Sequence, residues 1–197
     1  MQTLQELYED VGKCHKCLLC EGATNIVFGV GKEDADIVFV GEAPGFYEDK
    51  QGEPFVGAAG QLLTRLLASI GLKREDVYIT NVLKCRPPEN RDPLPEEIEA
   101  CKPLLFKQLE IIKAKIVVTL GSFAARTLLG KTVSMSKIHG QLIETDRFRI
   151  FPSYHPAAAL YTRATLASLE EDFRKLKELL ERGIEPTSEK PAQLGLF

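Results

Sequence analysis

Short apolar runs alternate along the chain with longer segments in which apolar and polar positions have helical spacing. The apolar runs are rich in β-branched residues and predict four strands, at 36–40, 77–82, 115–120 and, more weakly, 149–151. Helical spacing is found at 2–11, 60–70, 95–112, 122–129 and 166–181. Strands that alternate with helices in this way imply a mostly parallel sheet with helices on both faces.

The length of the chain fits one domain. Its 197 residues are enough for one sizeable α/β core, which we place at 1–183. After Gly183 the composition changes to IEPTSEKPA, so 184–197 are predicted to form a disordered linker and tail. No apolar run reaches the roughly 18 residues of a membrane span, and the polar start is unlike a signal peptide. These features predict a cytoplasmic protein.

The overall charge gives little support to nucleic-acid binding. The formal net charge is −3, whereas nucleic-acid-binding domains usually carry a basic excess. Positive charge is nevertheless concentrated locally, at Lys84, Arg86 and Arg91.

Five cysteines without an export signal indicate metal ligation rather than disulfides. Cys14, Cys17 and Cys20 have the C-x2-C-x2-C spacing that begins a bacterial ferredoxin ligand run, in which Cys20 would be the third ligand. Zinc is the alternative, but it usually takes two close cysteine pairs, and Cys85 and Cys101 are far apart.

Polar residues follow the predicted strands at the points where a parallel sheet binds its ligands. Glu42 follows the first strand, Asn81 ends the second, Ser122 follows the third and His155 follows the fourth. Ordinary turn chemistry accounts for any one of these residues alone. Their coincidence at several strand ends instead indicates one site that holds a carboxylate, an amide and an imidazole.

The segment GEAPG at 41–45 is not a dinucleotide fingerprint, because it lacks the third glycine and no helix is expected immediately after it. A long polar loop is predicted to follow, and loops of this length are usually functional. Phe55 lies in that loop between Pro54 and Val56, where it could present its ring to a planar ligand or simply pack beneath the loop.

Four motifs together resemble the family 4 uracil-DNA glycosylases: GEAPG at 41–45, EPFVGAAGQLL at 53–63, TNVLKCRPPENR at 80–91 and the His155-Pro156 pair. The resemblance implies a three-layer α/β/α sandwich with a central, mostly parallel four-stranded sheet. It also implies a monomeric enzyme that flips deoxyuridine out of single- or double-stranded DNA and hydrolyses the N-glycosidic bond. A [4Fe–4S] cluster would be held by Cys14, Cys17, Cys85 and Cys101, which leaves Cys20 as a spare thiol.

The resemblance also assigns roles in binding the flipped base. Asn81 would read the uracil edge, Phe55 would stack on the ring, and His155 would hydrogen-bond O2 as negative charge builds on the leaving base. The expected uracil-binding residues are Gly41, Glu42, Ala43, Phe55, Asn81 and His155.

Water activation requires a carboxylate or its equivalent near the pocket. Glu42 is the first candidate, and Glu48 together with Asn90 is the second. No lysine is expected in the pocket to form a Schiff base, which predicts a monofunctional glycosylase without strand-cleaving activity.

Contacts to DNA are predicted in two segments of the chain. Leu160, Tyr161 and Arg163 follow the His155 motif and could wedge into the duplex or contact phosphate, although an ordinary helix-start surface is the alternative. Lys84 and Arg86 would contribute positive charge.

The last five residues carry a separate signal. Gln193, Leu194, Leu196 and Phe197 resemble the pentapeptide that docks bacterial proteins on the β sliding clamp, with Gly195 as a departure from it. The alternative function is therefore a non-catalytic iron–sulfur DNA-binding module tethered to that clamp.

Overall fold

Four parallel strands form the centre of a mixed sheet. The structure is a computed structural model, and it describes residues 2–12 and 14–183. The strands in chain order are β1 Val30–Gly31, β2 Ile37–Gly41, β3 Tyr78–Asn81, β4 Ile116–Leu120, β5 Ile143–Glu144 and β6 Arg149–Ser153. Their order across the sheet is β1-β3-β2-β4-β6-β5, and the two outermost strands are antiparallel to their neighbours.

The α/β fold class is confirmed, and the four predicted strands are the four inner, parallel ones. The full sheet described here has six strands rather than four. The two additional strands, β1 and β5, have only two residues each and contain no apolar run. Hydrophobic patterning could not detect them for that reason.

Helices cover both faces of this sheet. They are α1 Leu4–Val11, α2 Leu19–Gly22, α3 Phe46–Gln51, α4 Ala58–Ser69, α5 Pro95–Ile112, α6 Ser122–Leu129, α7 Met135–Ile138, α8 Pro156–Ala159 and α9 Arg163–Glu181. Short 3-10 turns lie at Arg74–Asp76 and Pro88–Asn90. The predicted helices at 95–112 and 122–129 agree with α5 and α6 in both boundaries.

The alternation of side chains along the strands divides the core into two layers. Val38 and Val40 of β2 pack with α1, α5 and α6, whereas Ile37 and Phe39 pack with α4 and α9. Each fully buried side chain of this kind stabilises the fold by about 1.5–3 kcal/mol. The result is the expected three-layer α/β/α arrangement.

A helix stands where the sequence predicted a loop. Helix α3 begins at Phe46, directly after Gly45, so the prediction that no helix follows GEAPG was wrong. Six residues are too few to show helical periodicity. What holds α3 in place is tertiary: the buried carboxylate of Asp49 accepts hydrogen bonds from the backbone N–H groups of Thr24 and Asn25.

Among the described residues, no helix combines the length and the apolar character needed to cross a membrane.

Candidate active site

A cavity of about 240 Å³ lies at the carboxyl ends of the inner strands. Six residues assigned to the site by sequence line it, namely Ala43, Glu48, Phe55, Asn81, Asn90 and His155. The remaining lining residues are Pro44, Gly45, Ala59, Pro87, Arg91 and Ala157. The structure thus brings together an amide, an imidazole, an aromatic ring and a carboxylate from four separate segments.

Gly41 lies beneath the cavity rather than in its lining. It pairs with Asn81 across β2 and β3, and a Cβ atom added to it would come within 2.3 Å of the Asn81 Oδ1 and 2.6 Å of the Phe55 ring. Only glycine lets the asparagine and the aromatic ring pack so closely. The Asn81 side chain is almost fully buried, and no hydrogen bond to its amide is formed within the described part of the chain.

Phe55 is held in a constrained backbone conformation. Its φ is +55°, which costs a non-glycine residue of order 1–3 kcal/mol. The Arg74 guanidinium donates to the carbonyls of Phe55 (3.0 Å) and Pro54 (2.7 Å). A Cβ atom on Gly60 would lie 1.7 Å from the Phe55 carbonyl oxygen, so glycine is required there. Arg74 was missed by the sequence analysis because it lies 19 residues away with no motif around it.

His155 is a half-buried, neutral imidazole with a defined tautomer. It precedes α8, and its Nδ1 accepts a hydrogen bond from the Ala157 N–H at 3.1 Å. The proton therefore resides on Nε2, which is left as a donor. Burial lowers the pKa of His155 to about 4, against a smaller opposing effect of the Glu48 carboxylate. Its ring also stacks on Phe55, with centroids 5.6 Å apart.

Glu48 is the carboxylate that lines the cavity. Its Oε1 accepts hydrogen bonds from the N–H groups of Val56 and Gly57, both at 3.0 Å. These bonds fix the loop that carries Phe55 and leave Oε2 beside Gly45, where an added Cβ atom would be 2.7 Å from it. Asn90, its predicted partner, also lines the cavity and accepts from Arg86 Nε at 2.7 Å.

Glu42, the first candidate for water activation, is not among the residues that line the cavity. Burial, followed by the nearby Asp92, raises the pKa of Glu42 to about 7, while Arg126 opposes the shift. Its side chain is half-buried near Asp92 and Arg126, neither of which lines the cavity. The geometry favours Glu48 over Glu42 for direct contact with a water molecule in the cavity.

Lys84 does not contact DNA as predicted, because it is buried with an exposed fraction of 2%. Its ammonium donates to Thr80 Oγ1 at 2.6 Å and to the Asn81 carbonyl at 2.7 Å. Burial lowers the pKa of Lys84 to about 7. Lys84 thus supports the backbone of Asn81 from the interior. Nothing in the sequence around Lys84 indicates that its side chain points inward.

The other predicted DNA-facing residues are accessible. Arg86 is half-buried, Leu160 and Tyr161 are exposed, and Arg163 is exposed at the start of α9.

Four of the five cysteines lie in or against the core that contains α1 and α5, and Cys14 lies close to Cys20. Cys85 and Cys101 are buried there, and Cys17 and Cys20 pack against the same core. The Cys20 sulfur lies 4.0 Å from that of Cys85 and also interacts with Cys14. The family resemblance leaves Cys20 as a spare thiol, and in the structure its sulfur adjoins that of Cys85.

This donor set fits a thiolate-bound metal group by its chemistry. Burial raises the pKa of the Cys85 and Cys101 thiols, so in the metal-free chain both are protonated and sheltered from water. Within the described residues, no three potential ligands already stand at metal-binding spacing. The fit rests on the kind of donor and on the closeness of Cys20 to Cys85 and to Cys14.

A buried His–Asp–Ser cluster beneath β6 was also missed by the sequence analysis. Asp172 of α9 is fully buried, accepts from Ser153 Oγ at 2.7 Å and lies 2.8 Å from His139 Nδ1. The His139 ring also packs on Tyr154, the residue before His155. Because the three members are far apart in sequence, no local pattern marks them; together they fix the strand end that carries His155.

Comparison with known proteins agrees with this arrangement. Residues 28–181 match the model of the Uracil DNA glycosylase superfamily. The chain is 51% identical to a Type-4 uracil-DNA glycosylase of Archaeoglobus fulgidus, over 91% of this chain and 94% of that protein. It is 48% identical to the enzyme of the same name from Sulfurisphaera tokodaii (91% of this chain, 86% of that one) and 45% identical to that of Thermotoga maritima (92% and 99%). The chain belongs to the uracil-DNA glycosylase superfamily and, within it, to the type-4 uracil-DNA glycosylases.

Proposed function

We propose that this protein removes uracil from DNA by hydrolysing the N-glycosidic bond of deoxyuridine, which leaves an abasic site. The observation that carries the proposal is the meeting of a buried Asn81 amide and a neutral His155 Nε2–H donor in one cavity beside Phe55. The curated relatives are named for the same activity.

Asn81 supplies base selectivity. A uracil edge offers an acceptor at O4 and a donor at N3, and one side-chain amide satisfies both. Cytosine offers the opposite pattern, so the amide held against Gly41 and Phe55 would be left unpaired by it. Flipping the base out of the DNA costs a few kcal/mol, which stacking on Phe55 and these hydrogen bonds offset.

His155 stabilises the leaving group. As the bond between C1′ and N1 breaks, the electron pair passes to the uracil ring and negative charge develops at O2. A neutral imidazole with its proton on Nε2 donates to that oxygen without giving up the proton. A preformed donor of this kind stabilises charge that exists only in the transition state.

Glu48 positions the attacking water. Its Oε1 is committed to the loop backbone, and Oε2 remains to accept from a water directed at C1′. Within the described chain no lysine lines the cavity. The nearest motif contains Lys84, but its ammonium donates hydrogen bonds to Thr80 Oγ1 and the Asn81 carbonyl. This supports hydrolysis by water without strand cleavage.

The two glutamates can be separated by mutation and pH. Glu48→Gln should lower the excision rate constant about 10²-fold, since a general base contributes roughly that much. Glu42→Gln should lower it less than about tenfold. The measurement is single-turnover excision from pH 5 to 9. If Glu42 were the base instead, the wild-type rate would fall as pH drops below about 7, where Glu42 gains its proton, and Glu42→Gln would remove that fall.

The cysteines would hold a [4Fe–4S] cluster, with Cys14, Cys17, Cys85 and Cys101 as the ligands carried over from the family resemblance. The cluster would give structural support rather than chemistry at the cavity. Cys85 lies four residues after Asn81 in the same chain segment, so fixing its sulfur steadies the segment that carries the base reader.

Cys85→Ser should abolish the cluster, whereas Cys20→Ser should retain it. The readouts are absorbance near 400 nm and iron content per chain of protein purified without oxygen. Because Cys20 lies close to Cys85, Cys17→Ser is the decisive third variant. Retention of iron by Cys17→Ser together with its loss from Cys20→Ser would overturn the ligand set and assign Cys20 in place of Cys17.

DNA and the sliding clamp are the proposed partners of a monomeric, cytoplasmic enzyme. Arg86 contacts Asn90 of the cavity lining, and Leu160 and Arg163 follow α8, whose Ala157 lines the cavity. All three are accessible and suited to contact a strand. The clamp-binding pentapeptide at 193–197 lies outside the described residues. Deleting 193–197 should abolish capture of the β clamp while leaving excision from short oligonucleotides unchanged; loss of both would contradict a tethering role.

The activity is tested with labelled oligonucleotides, single- and double-stranded, that carry one deoxyuridine, deoxycytidine or thymidine. We expect alkali-labile sites only where uracil was present. Binding of uracil DNA without any base release would instead support the non-catalytic, clamp-tethered module.

A further inference from the structure

Two aromatic side chains are exposed on α3, immediately beside the cavity. Phe46 is 46% exposed and Tyr47 is 61% exposed, and their rings meet edge to face with centroids 5.5 Å apart. Their chain neighbours Gly45 and Glu48 both line the cavity. Adjacent exposed aromatics on one short helix contribute little to the core, and such surface clusters commonly mark a binding site.

Positive charge surrounds the Phe46 ring. The Arg86 guanidinium carbon lies 5.1 Å from the ring centroid, and the Lys50 ammonium lies 5.6 Å from it. Arg86 also donates to Asn90, which lines the cavity. The aromatic pair, the cations and the cavity mouth therefore form one continuous surface.

Tyr47 extends this surface toward the start of α4. A Cβ atom on Gly57 would lie 3.8 Å from Tyr47 Cδ2, and the Gly57 N–H is one of the two that fix Glu48. The platform is thus attached to the rigid loop that shapes the cavity. It keeps a fixed position relative to any base bound inside.

We propose that Phe46 and Tyr47 form a stacking platform for the nucleobase next to the extruded uridine, while Arg86 and Lys50 contact the phosphates of the same strand. The inference rests on the proposed function. When a uridine is flipped out, its neighbour loses a stacking partner, and an exposed aromatic ring beside the cavity can replace that partner. Aromatic side chains flanked by cations are the usual means of binding single-stranded nucleic acid.

The charge of the surface favours a nucleic-acid strand over an apolar protein segment. An apolar partner would bury the Arg86 and Lys50 charges against Phe46 without neutralising them, whereas a DNA strand supplies both a base and a phosphate at each step. The surface also continues into the cavity that takes the flipped base of that same strand.

The platform is tested by crossing protein variants with DNA variants. The DNA is a single-stranded oligonucleotide with one 2′-fluorinated deoxyuridine, which resists hydrolysis, and the nucleotide on its 5′ or 3′ side is either normal or a base-less tetrahydrofuran residue. The proteins are the wild type, the double variant Phe46→Ala/Tyr47→Ala, and Tyr8→Ala. Tyr8 is a matched control, since it is equally exposed on α1 and packs on Phe28 away from the cavity. Affinity is measured by fluorescence anisotropy.

Removing one flanking base should weaken wild-type and Tyr8→Ala binding about tenfold. The double variant should bind the normal strand about tenfold more weakly and should then lose less than about twofold when that base is removed. Three outcomes would each overturn the platform. The wild type could bind equally well with and without the flanking base, or the double variant could bind the normal strand as tightly as the wild type. The third is that base removal weakens the double variant by the same factor as the wild type.

Two further measurements keep the outcome interpretable. If the double variant fails to fold by circular dichroism, Phe46→Leu/Tyr47→Leu preserves apolar volume without an aromatic face and should show the same insensitivity to the flanking base. Uracil release by the wild type from unmodified DNA is scored separately. Its absence would contradict the proposed function, whereas excision without any dependence of binding on the flanking base would contradict the platform alone.

Discussion

Replacing His155 by alanine should lower the rate constant of uracil excision by about 10²–10³-fold, the usual effect of removing one preorganised donor to a developing oxyanion. The imidazole is half-buried, its Nδ1 is occupied by the Ala157 N–H, and its proton is available only on Nε2. The loss should appear in single-turnover rates at saturating DNA, because this hydrogen bond strengthens as the glycosidic bond breaks. His155→Gln retains an N–H donor and should recover part of the rate.

The pH dependence follows from the same residue. Because burial lowers the pKa of His155 to about 4, the imidazole is predominantly neutral from about pH 5 upward. His155 should therefore stay unprotonated between pH 8 and pH 5 and should cause no change in the excision rate over that range. A wild-type rate that changed through pH 6.5, with the change absent in His155→Gln, would show a fully solvated histidine and contradict a neutral donor.

Asn81→Ala should lower kcat/KM for uracil excision about 10³-fold, because two hydrogen bonds to the base edge are lost from a desolvated site. The amide is nearly fully buried against Gly41 and Phe55, so water does not readily replace it. The effect is measured by single-turnover excision as a function of enzyme concentration.

Asn81→Asp is the matched variant for this prediction. It keeps the shape and the acceptor for N3–H but removes the donor to O4, so we expect it to be impaired nearly as much as Asn81→Ala. Full activity in either variant would mean that another group reads the base. Circular dichroism distinguishes loss of base reading from loss of the fold, since Asn81 ends β3.

Hydrophobic patterning was sufficient to predict the elements that are stabilised mainly by burial of apolar side chains. The inner strands and the helices α5 and α6 were predicted because each buries a periodic apolar surface. The pattern failed at α3 and at the edge strands β1 and β5, which are short and are held by tertiary hydrogen bonds or by pairing with a neighbour.

The site was predictable wherever a strand end fixes the position of a side chain. Asn81 ends one strand of the parallel sheet and His155 follows another, and the structure brings both to one cavity. The direction of a side chain after it leaves the strand end depends on packing that the sequence does not display. Lys84 points inward to Thr80, and Glu42 lies outside the cavity lining, for that reason.

The long-range supports of the site were the least predictable. Arg74 holds the Phe55 backbone from 19 residues away, and Asp172 links His139 to Ser153 beneath β6. Each of the two residues makes two polar contacts, to segments that no motif links to it. Residues of this kind are visible only when the fold has placed the segments side by side.

Mass spectrometry of the reaction products tests the central claim most directly. The wild-type protein is incubated with an oligonucleotide that contains one deoxyuridine, and both the free base and the strand are weighed. We predict free uracil together with a full-length strand that carries one abasic site, and neither product with His155→Ala over the same time. An unchanged strand, or one cleaved at the uracil position, would contradict a hydrolytic uracil-DNA glycosylase built on Asn81 and His155.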